Sequence, residues 1–236
     1  MSEARQFFGR GLPYVDVSGL SGRLFVVEGT DGVGRSTQIE QLKDWLELQG
    51  HAVVTTGWTR SPLMQPAIEV AKEGHSLNRL TFALIYACDF ADRLENEIIP
   101  ALRAGMIVLA DRYCYTAFAR NTVRGVDEGW SRDLFGFALK PDVTIYLRID
   151  VTSLVRRVIR RGRLDYWESG LDLNLGEDPY DSFVEYQRRL IERYDLMARS
   201  ERFEIVDATR DIDAIQRDVR QRIAGHLPQP GSASTG

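Results

Sequence analysis

Short unbroken apolar runs alternate along this chain with longer segments whose apolar residues recur every three or four positions. The runs are Leu24–Val27, Ala52–Thr56, Met106–Ala110, Val143–Leu147 and Phe203–Val206. Their length and β-branched content predict strands buried on both faces. Between them the period is that of a helix. The segment Ser36–Leu48 puts Ile39, Leu42, Trp45 and Leu46 on one face, and Gly50 is placed to end it. A short helix is expected at Gln65–Lys72. A long helical stretch follows over Leu77–Arg103, apolar at Leu84, Cys88, Ala91, Leu94 and Ile98, with Pro100 positioned to end or kink it. Further helices are expected near Ser131–Leu139 and over Val151–Arg161, Pro179–Arg199 and Ile212–Ile223.

Strands alternating with helices imply parallel βαβ units, hence an α/β fold: a three-layer α/β/α sandwich around a five-stranded parallel sheet. Residues 1–22, with Phe7, Phe8, Pro13 and several glycines, read as an arm ahead of one domain at 23–226. The Pro-, Gly- and Ser-rich stretch 227–236 reads as a disordered tail. No internal repeat is visible.

Composition narrows the classes. At 236 residues, 44% hydrophobic and 27% charged, the chain is an ordinary globular one. A net charge of -4 speaks against a general nucleic-acid coat. Two cysteines, Cys88 and Cys114, are too few for a disulfide framework and are read as packing residues. His51, His75 and His226 have no metal-ligand spacing. With no apolar window of membrane-spanning length and no signal core, the expectation is a cytoplasmic protein without a membrane partner.

The chemistry is expected where strands end, because parallel sheets bind ligands beyond their carboxyl edge. The first strand runs into Gly29-Thr30-Asp31-Gly32-Val33-Gly34-Arg35-Ser36-Thr37. It follows the phosphate-loop pattern G-x-x-x-x-G-K-[ST], whose glycines let successive N–H groups turn around a phosphate and whose hydroxyl serves Mg²⁺. The next helix aims its positive end at the same anion. Arg35, planar and forked, stands where the pattern has lysine. Three readings stay open: a working nucleotide site, a site that binds nucleotide but transfers poorly, and a glycine-rich turn without ligand.

The third strand delivers Asp111 and Arg112, a carboxylate suited to Mg²⁺ or its waters and a guanidinium suited to phosphoryl oxygens. Arg156, Arg157, Arg160, Arg161 and Arg163 precede Leu164-Asp165-Tyr166-Trp167-Glu168. They suggest a lid, about 160–178, that excludes water and brings positive charge to a transferring group. For any single arginine a solvated face is the competing reading.

Together these residues resemble the thymidylate kinase family of P-loop nucleoside-monophosphate kinases, over roughly Arg23–Ile223. Glu28-Gly29-x-Asp31-Gly32-x-Gly34-x-Ser36-Thr37 resembles that family's E-G-x-D-G-x-G-K-S-T. Ala91-Asp92-Arg93 resembles its A-D-R helix, Val108–Tyr113 its V-L-x-D-R-Y strand end, Arg161–Glu168 its lid, and Val206–Thr209 its last strand and turn.

The resemblance implies a P-loop NTPase-type fold and an ATP- and Mg²⁺-dependent transfer of the γ-phosphoryl group to a nucleoside monophosphate, most simply dTMP. By position, Gly29–Thr37 would hold ATP, and Ser36 and Asp111 the metal. Asp31, Arg60, Asp89, Arg93, Arg112 and Arg120 would line the acceptor. Arg35, Asp111 and Arg112 would act in transfer, with the lid arginines Arg160, Arg161 and Arg163. Gly32 occupies a loop position that carries a catalytic arginine in some members, so a lid-supplied arginine is expected. A homodimer through the long helix is also implied.

The departures are Arg35 for lysine, Asp89 where a base-stacking phenylalanine is usual, Ser61 for an acidic residue, and Arg120 for a tyrosine near the sugar. Phe90 or Tyr86 could take over stacking. The rival readings are a catalytically weak regulatory homologue and a kinase of another small phosphate acceptor.

Overall fold

The structure is a computed structural model, and it describes residues 5–161 and 165–227, excluding the side chain of Arg161. Its strands are β1 (Arg23–Glu28), β2 (Val53–Gly57), β3 (Ile107–Asp111), β4 (Val143–Arg148) and β5 (Glu204–Asp207). They form one sheet in the order β2-β3-β1-β4-β5, with every neighbouring pair parallel. The chain leaves β1 towards β2 on one side and later crosses from β3 to β4 on the other. A crevice therefore opens at the carboxyl end of β1. The register sets Val27 beside Asp111, and Asp111 beside Gly57, so three strand ends finish level at that crevice.

Strand side chains alternate between two cores. Phe25, Val27, Leu109 and Ile145 face Ile39, Leu42 and Leu46 of α1 (Arg35–Leu48), together with Ile215, Val219 and Ile223. Leu24, Val26, Val108 and Ala110 face the opposite layer, which contains Phe90, Leu94, Phe118 and Leu190. The outer helices complete the sandwich: α2 (Gln65–Glu73), α3 (Arg79–Arg93), α4 (Ile99–Arg103), α5 (Cys114–Val123), α6 (Glu128–Leu134), α7 (Val151–Arg161), α8 (Pro179–Ser200) and α9 (Ile212–Ala224).

Three local expectations need correcting. The helix α5 was not foreseen: Cys114 to Ala119 are all buried, so no polar face gives that segment a helical period. The long helical stretch is interrupted by a π-helical turn at Leu94–Ile98, which sets Pro100 in the first turn of α4, where a missing N–H costs nothing. The face marked by Leu84 and Cys88 is exposed, and the buried stripe is Phe82, Ala83, Tyr86, Ala87, Asp89, Phe90 and Arg93. Cys88 is thus no packing residue, whereas Cys114 is buried.

From residue 5 the arm packs on the domain. Phe7 bridges Leu139, Phe8 donates its N–H to Ala138, and Arg5 pairs with Asp142 at 2.9 Å. The proposed lid divides. Arg163, with Gly162 and Leu164, lies outside the described residues, whereas residues 165–173 are folded onto the helical layer. There Tyr166 stacks on His75 at 3.8 Å, and the Trp167 indole donates to the Lys72 carbonyl. The expected disordered tail, beyond residue 227, is also outside the described residues.

Candidate active site

The loop between β1 and α1 is shaped by its glycines. Gly29 has φ 148° and a Cβ there would lie 2.9 Å from the Leu147 carbonyl oxygen, while Gly34 starts α1 at φ 102°. Both positions suit glycine alone. The loop thereby turns sharply into α1. Arg157 of α7 braces it from behind, donating to the carbonyls of Val33 and Ala208. Sequence reasoning placed Arg157 in the basic run read as a lid, not as a brace of this loop. Its signal was its position three residues beyond Leu154, at the edge of the buried stripe of α7.

Arg35 does something no lysine could do alone. Its Nε donates to Asp111 Oδ1 at 2.8 Å, and its Nη1 donates to the carbonyls of Gly29 and Thr30. Among the described residues Nη2 makes no hydrogen bond, which leaves it for another anion. Ser36 Oγ donates to the second oxygen of Asp111 at 3.1 Å. Burial by itself would raise the Asp111 carboxyl, but Arg35 outweighs it and holds the group below its ordinary value. The two metal candidates, Ser36 and Asp111, are therefore adjacent oxygens at the mouth of the loop. Hard oxygen donors of this kind fit Mg²⁺. Among the described residues no cluster of three or more His, Cys, Asp or Glu forms a metal cage.

Arg112 follows β3 with φ 75°, a left-handed conformation uncommon for a bulky residue. Glu28 stabilises the turn from below. Its carboxylate, fully buried, accepts from the N–H groups of Tyr113 and Thr116, the Thr116 hydroxyl and the Tyr194 hydroxyl. Burial raises its proton affinity. Arg112 then bonds Oδ1 of Asp31, while Arg120 of α5 bonds Oδ2 at 2.7 Å. Burial opposes ionisation of Asp31, but Arg112, Arg120 and Arg35 together hold its carboxyl well below the ordinary aspartate value. For Arg112 the balance runs the other way: burial and then the nearby Arg35 charge lower its proton affinity.

On α3, Asp89 and Arg93 are paired and buried. Asp89 also accepts from the N–H groups of Thr59 and Ser61, so it pins the loop after β2 to α3. Arg93 reaches Thr56 Oγ1 with Nη1. Arg60 is exposed and lies over Gly57. Of the two stacking candidates, Phe90 is in the core against Tyr113 and Phe135. Tyr86 is buried in a separate aromatic cluster, 4.9 Å from Trp58 and 4.7 Å from Phe82.

In these ion pairs four guanidiniums share three carboxylates, which leaves surplus positive charge. Thr30 Oγ1, Arg93 Nη2 and Arg120 Nε are buried with no partner among the described residues. Each such group costs about 1–3 kcal/mol until something bonds it. Surplus charge and orphaned donors beside a glycine loop describe an anion site. Arg160 is exposed at the end of α7. Arg161 ends that helix, and Arg163 lies outside the described residues.

The sequence model of the family described as thymidylate kinase matches residues 27–219, from the end of β1 into α9. The chain belongs to the thymidylate kinase family. It is 39% identical over 211 residues to a probable thymidylate kinase 2 of Saccharolobus solfataricus, covering 88% of this chain and 98% of that one. It is 32% identical to a probable thymidylate kinase of Thermococcus gammatolerans, over 84% of this chain and 94% of the relative. A thymidylate kinase of Clavibacter michiganensis is 33% identical over 91% of this chain and all of its own length. The five-stranded parallel sheet with helices on both sides is that family's P-loop fold. Among the described residues no helix is long and apolar enough to cross a membrane.

Proposed function

We propose that this family member transfers the γ-phosphoryl group of ATP to dTMP, giving ADP and dTDP. The observation that carries the reading is the Arg35–Asp111–Ser36 constellation at the mouth of the glycine loop, with Arg112 bonded to Asp31 of the same loop. Loop N–H groups and the α1 amino end would hold the donor phosphates. Ser36 and Asp111 would hold Mg²⁺, which when bound supplies charge neutralisation to the phosphates.

The chain's own residues do the rest. Arg35 keeps the loop closed with one edge of its fork and offers Nη2 to a phosphoryl oxygen. Arg93 and Arg112 hold the acceptor phosphate in line, and the base lies against Tyr86 and Trp58. Asp89 acts on the acceptor by fixing Arg93 and the loop of Arg60. Transfer itself needs little beyond positioning and charge, and Arg160, Arg161 and Arg163 would complete the charge when the lid closes. The reaction draws on cytoplasmic ATP, which sets the location.

Leu80 (57% exposed), Leu84 (42% exposed) and exposed Cys88 form one unpartnered face of α3. This apolar face supports a homodimer, and Leu84→Glu should shift the sedimentation mass to a monomer. The activity is tested by coupled ADP release over a panel of nucleoside monophosphates. Turnover of dTMP is expected. Folded protein that turns over none of the panel rejects the reading.

A further inference from the structure

The guanidinium of Arg93 is gripped on two of its edges. Nε bonds Asp89 Oδ2 at 3.0 Å, and Nη1 donates to Thr56 Oγ1 at 3.2 Å. Thr56 is the penultimate residue of β2 and is fully buried, and its hydroxyl donates in turn to Glu97 Oε2. A hydroxyl has one proton, and a carboxylate only accepts. The Thr56 proton therefore goes to Glu97, which leaves the lone pairs of its oxygen to Arg93. Nη2, the third corner of the fork, is buried without a partner among the described residues. Glu97 stands in the π-helical turn Leu94–Ile98 directly after Arg93, where the Ile99 N–H reaches back to the Leu94 carbonyl. Such turns are rare and are frequent at functional sites.

We propose that Thr56 and Glu97 are positioning residues for the acceptor phosphate, acting through Arg93. Glu97 orients the Thr56 hydroxyl, Thr56 holds Nη1, and Nη2 is thereby kept for a phosphoryl oxygen. The proposal rests on the reading above, which gives Arg93 the acceptor phosphate.

The test measures calorimetric affinity for dTMP beside the steady-state KM for dTMP and for ATP. Thr56→Val keeps the branched shape and loses the hydroxyl. It should weaken dTMP by roughly 10- to 100-fold, the worth of a hydrogen bond to a charged group, and leave the KM for ATP near its natural value. Thr56→Ser keeps the hydroxyl and Glu97→Gln keeps an acceptor oxygen, so both should bind dTMP close to the natural protein. Glu97→Met keeps no acceptor oxygen and should weaken dTMP in the same direction. In an Arg93→Met background Thr56→Val should add nothing further, because the two act as one unit. Unchanged dTMP affinity in Thr56→Val and Glu97→Met overturns the proposal. So does equal weakening of dTMP and ATP, full additivity with Arg93→Met, or a Glu97→Gln as damaging as Glu97→Met. Should Thr56→Val fail to fold, Glu97→Met and Glu97→Gln, at a half-buried position, carry the same comparison. If dTMP affinities follow the expected order with no turnover, the kinase reading fails and this one stands. If the natural protein turns over dTMP and the variants bind it unchanged, the reverse holds. If the natural protein binds no dTMP, both fail.

Discussion

Arg93 Nε lies 3.0 Å from Asp89 Oδ2, one helical turn away on α3, and both side chains are almost wholly buried. The pair fixes the Arg93 guanidinium and, through the N–H groups of Thr59 and Ser61, the loop after β2. Removing one partner of a buried pair leaves the other uncompensated. Asp89→Ala should therefore cost about 3–5 kcal/mol of stability, read by denaturant melts. A loss below about 1 kcal/mol would place Asp89 outside the clamp.

Arg35 braces the loop, and in the proposed reaction it also neutralises phosphate. Arg35→Ala should lower kcat by about 10²–10³, as for loss of one preorganised donor. Arg35→Lys keeps the charge but not the fork. It should retain turnover while melting at a lower temperature, because one ammonium cannot serve Asp111 and two carbonyls together. Steady-state kinetics and thermal melts measure the two effects separately.

Asp31 and Asp111 both have their proton affinity lowered in the folded chain from an ordinary value of 3.8. A lowered carboxyl stabilises the fold above its unfolded value, and that contribution fades as pH falls through the folded one. Melting temperature should thus drop below about pH 4, and Asp31→Asn should flatten the drop. Glu28 has the opposite sign. Its affinity is raised from 4.5 by burial, so its contribution is full below that value and is lost as pH rises through the folded one. A melting profile of Glu28→Gln checks this contrast.

Tyr86, beside Trp58, is the ring that the proposed reading sets against the acceptor base. Tyr86→Ala should raise the KM for the acceptor by about 5- to 100-fold, the worth of one base stack, and leave the KM for ATP near its natural value. Phe90→Ala should instead lower stability, since Phe90 packs in the core. An acceptor KM that follows Phe90 rather than Tyr86 would reverse the assignment.

The sequence by itself determined the alternation of strand and helix, the parallel sheet, the glycine loop and the strand end carrying Asp111 and Arg112. These follow from local rules: buried strands are continuous apolar runs, and a phosphate loop needs glycine at fixed offsets. It also showed which positions depart from the family pattern. Only the tertiary structure decided what those departures do. Asp89 meets Arg93 at helical spacing, but its loop partners and the partner of Arg120 lie 28 to 89 residues away, and no spacing rule connects those. The buried helix α5, which carries Arg120, had no polar face to reveal it. Tyr86 and Phe90 are equally aromatic in sequence. Four residues apart, they enter different buried clusters, Phe90 that of Tyr113 and Phe135, Tyr86 that of Phe82 and Trp167.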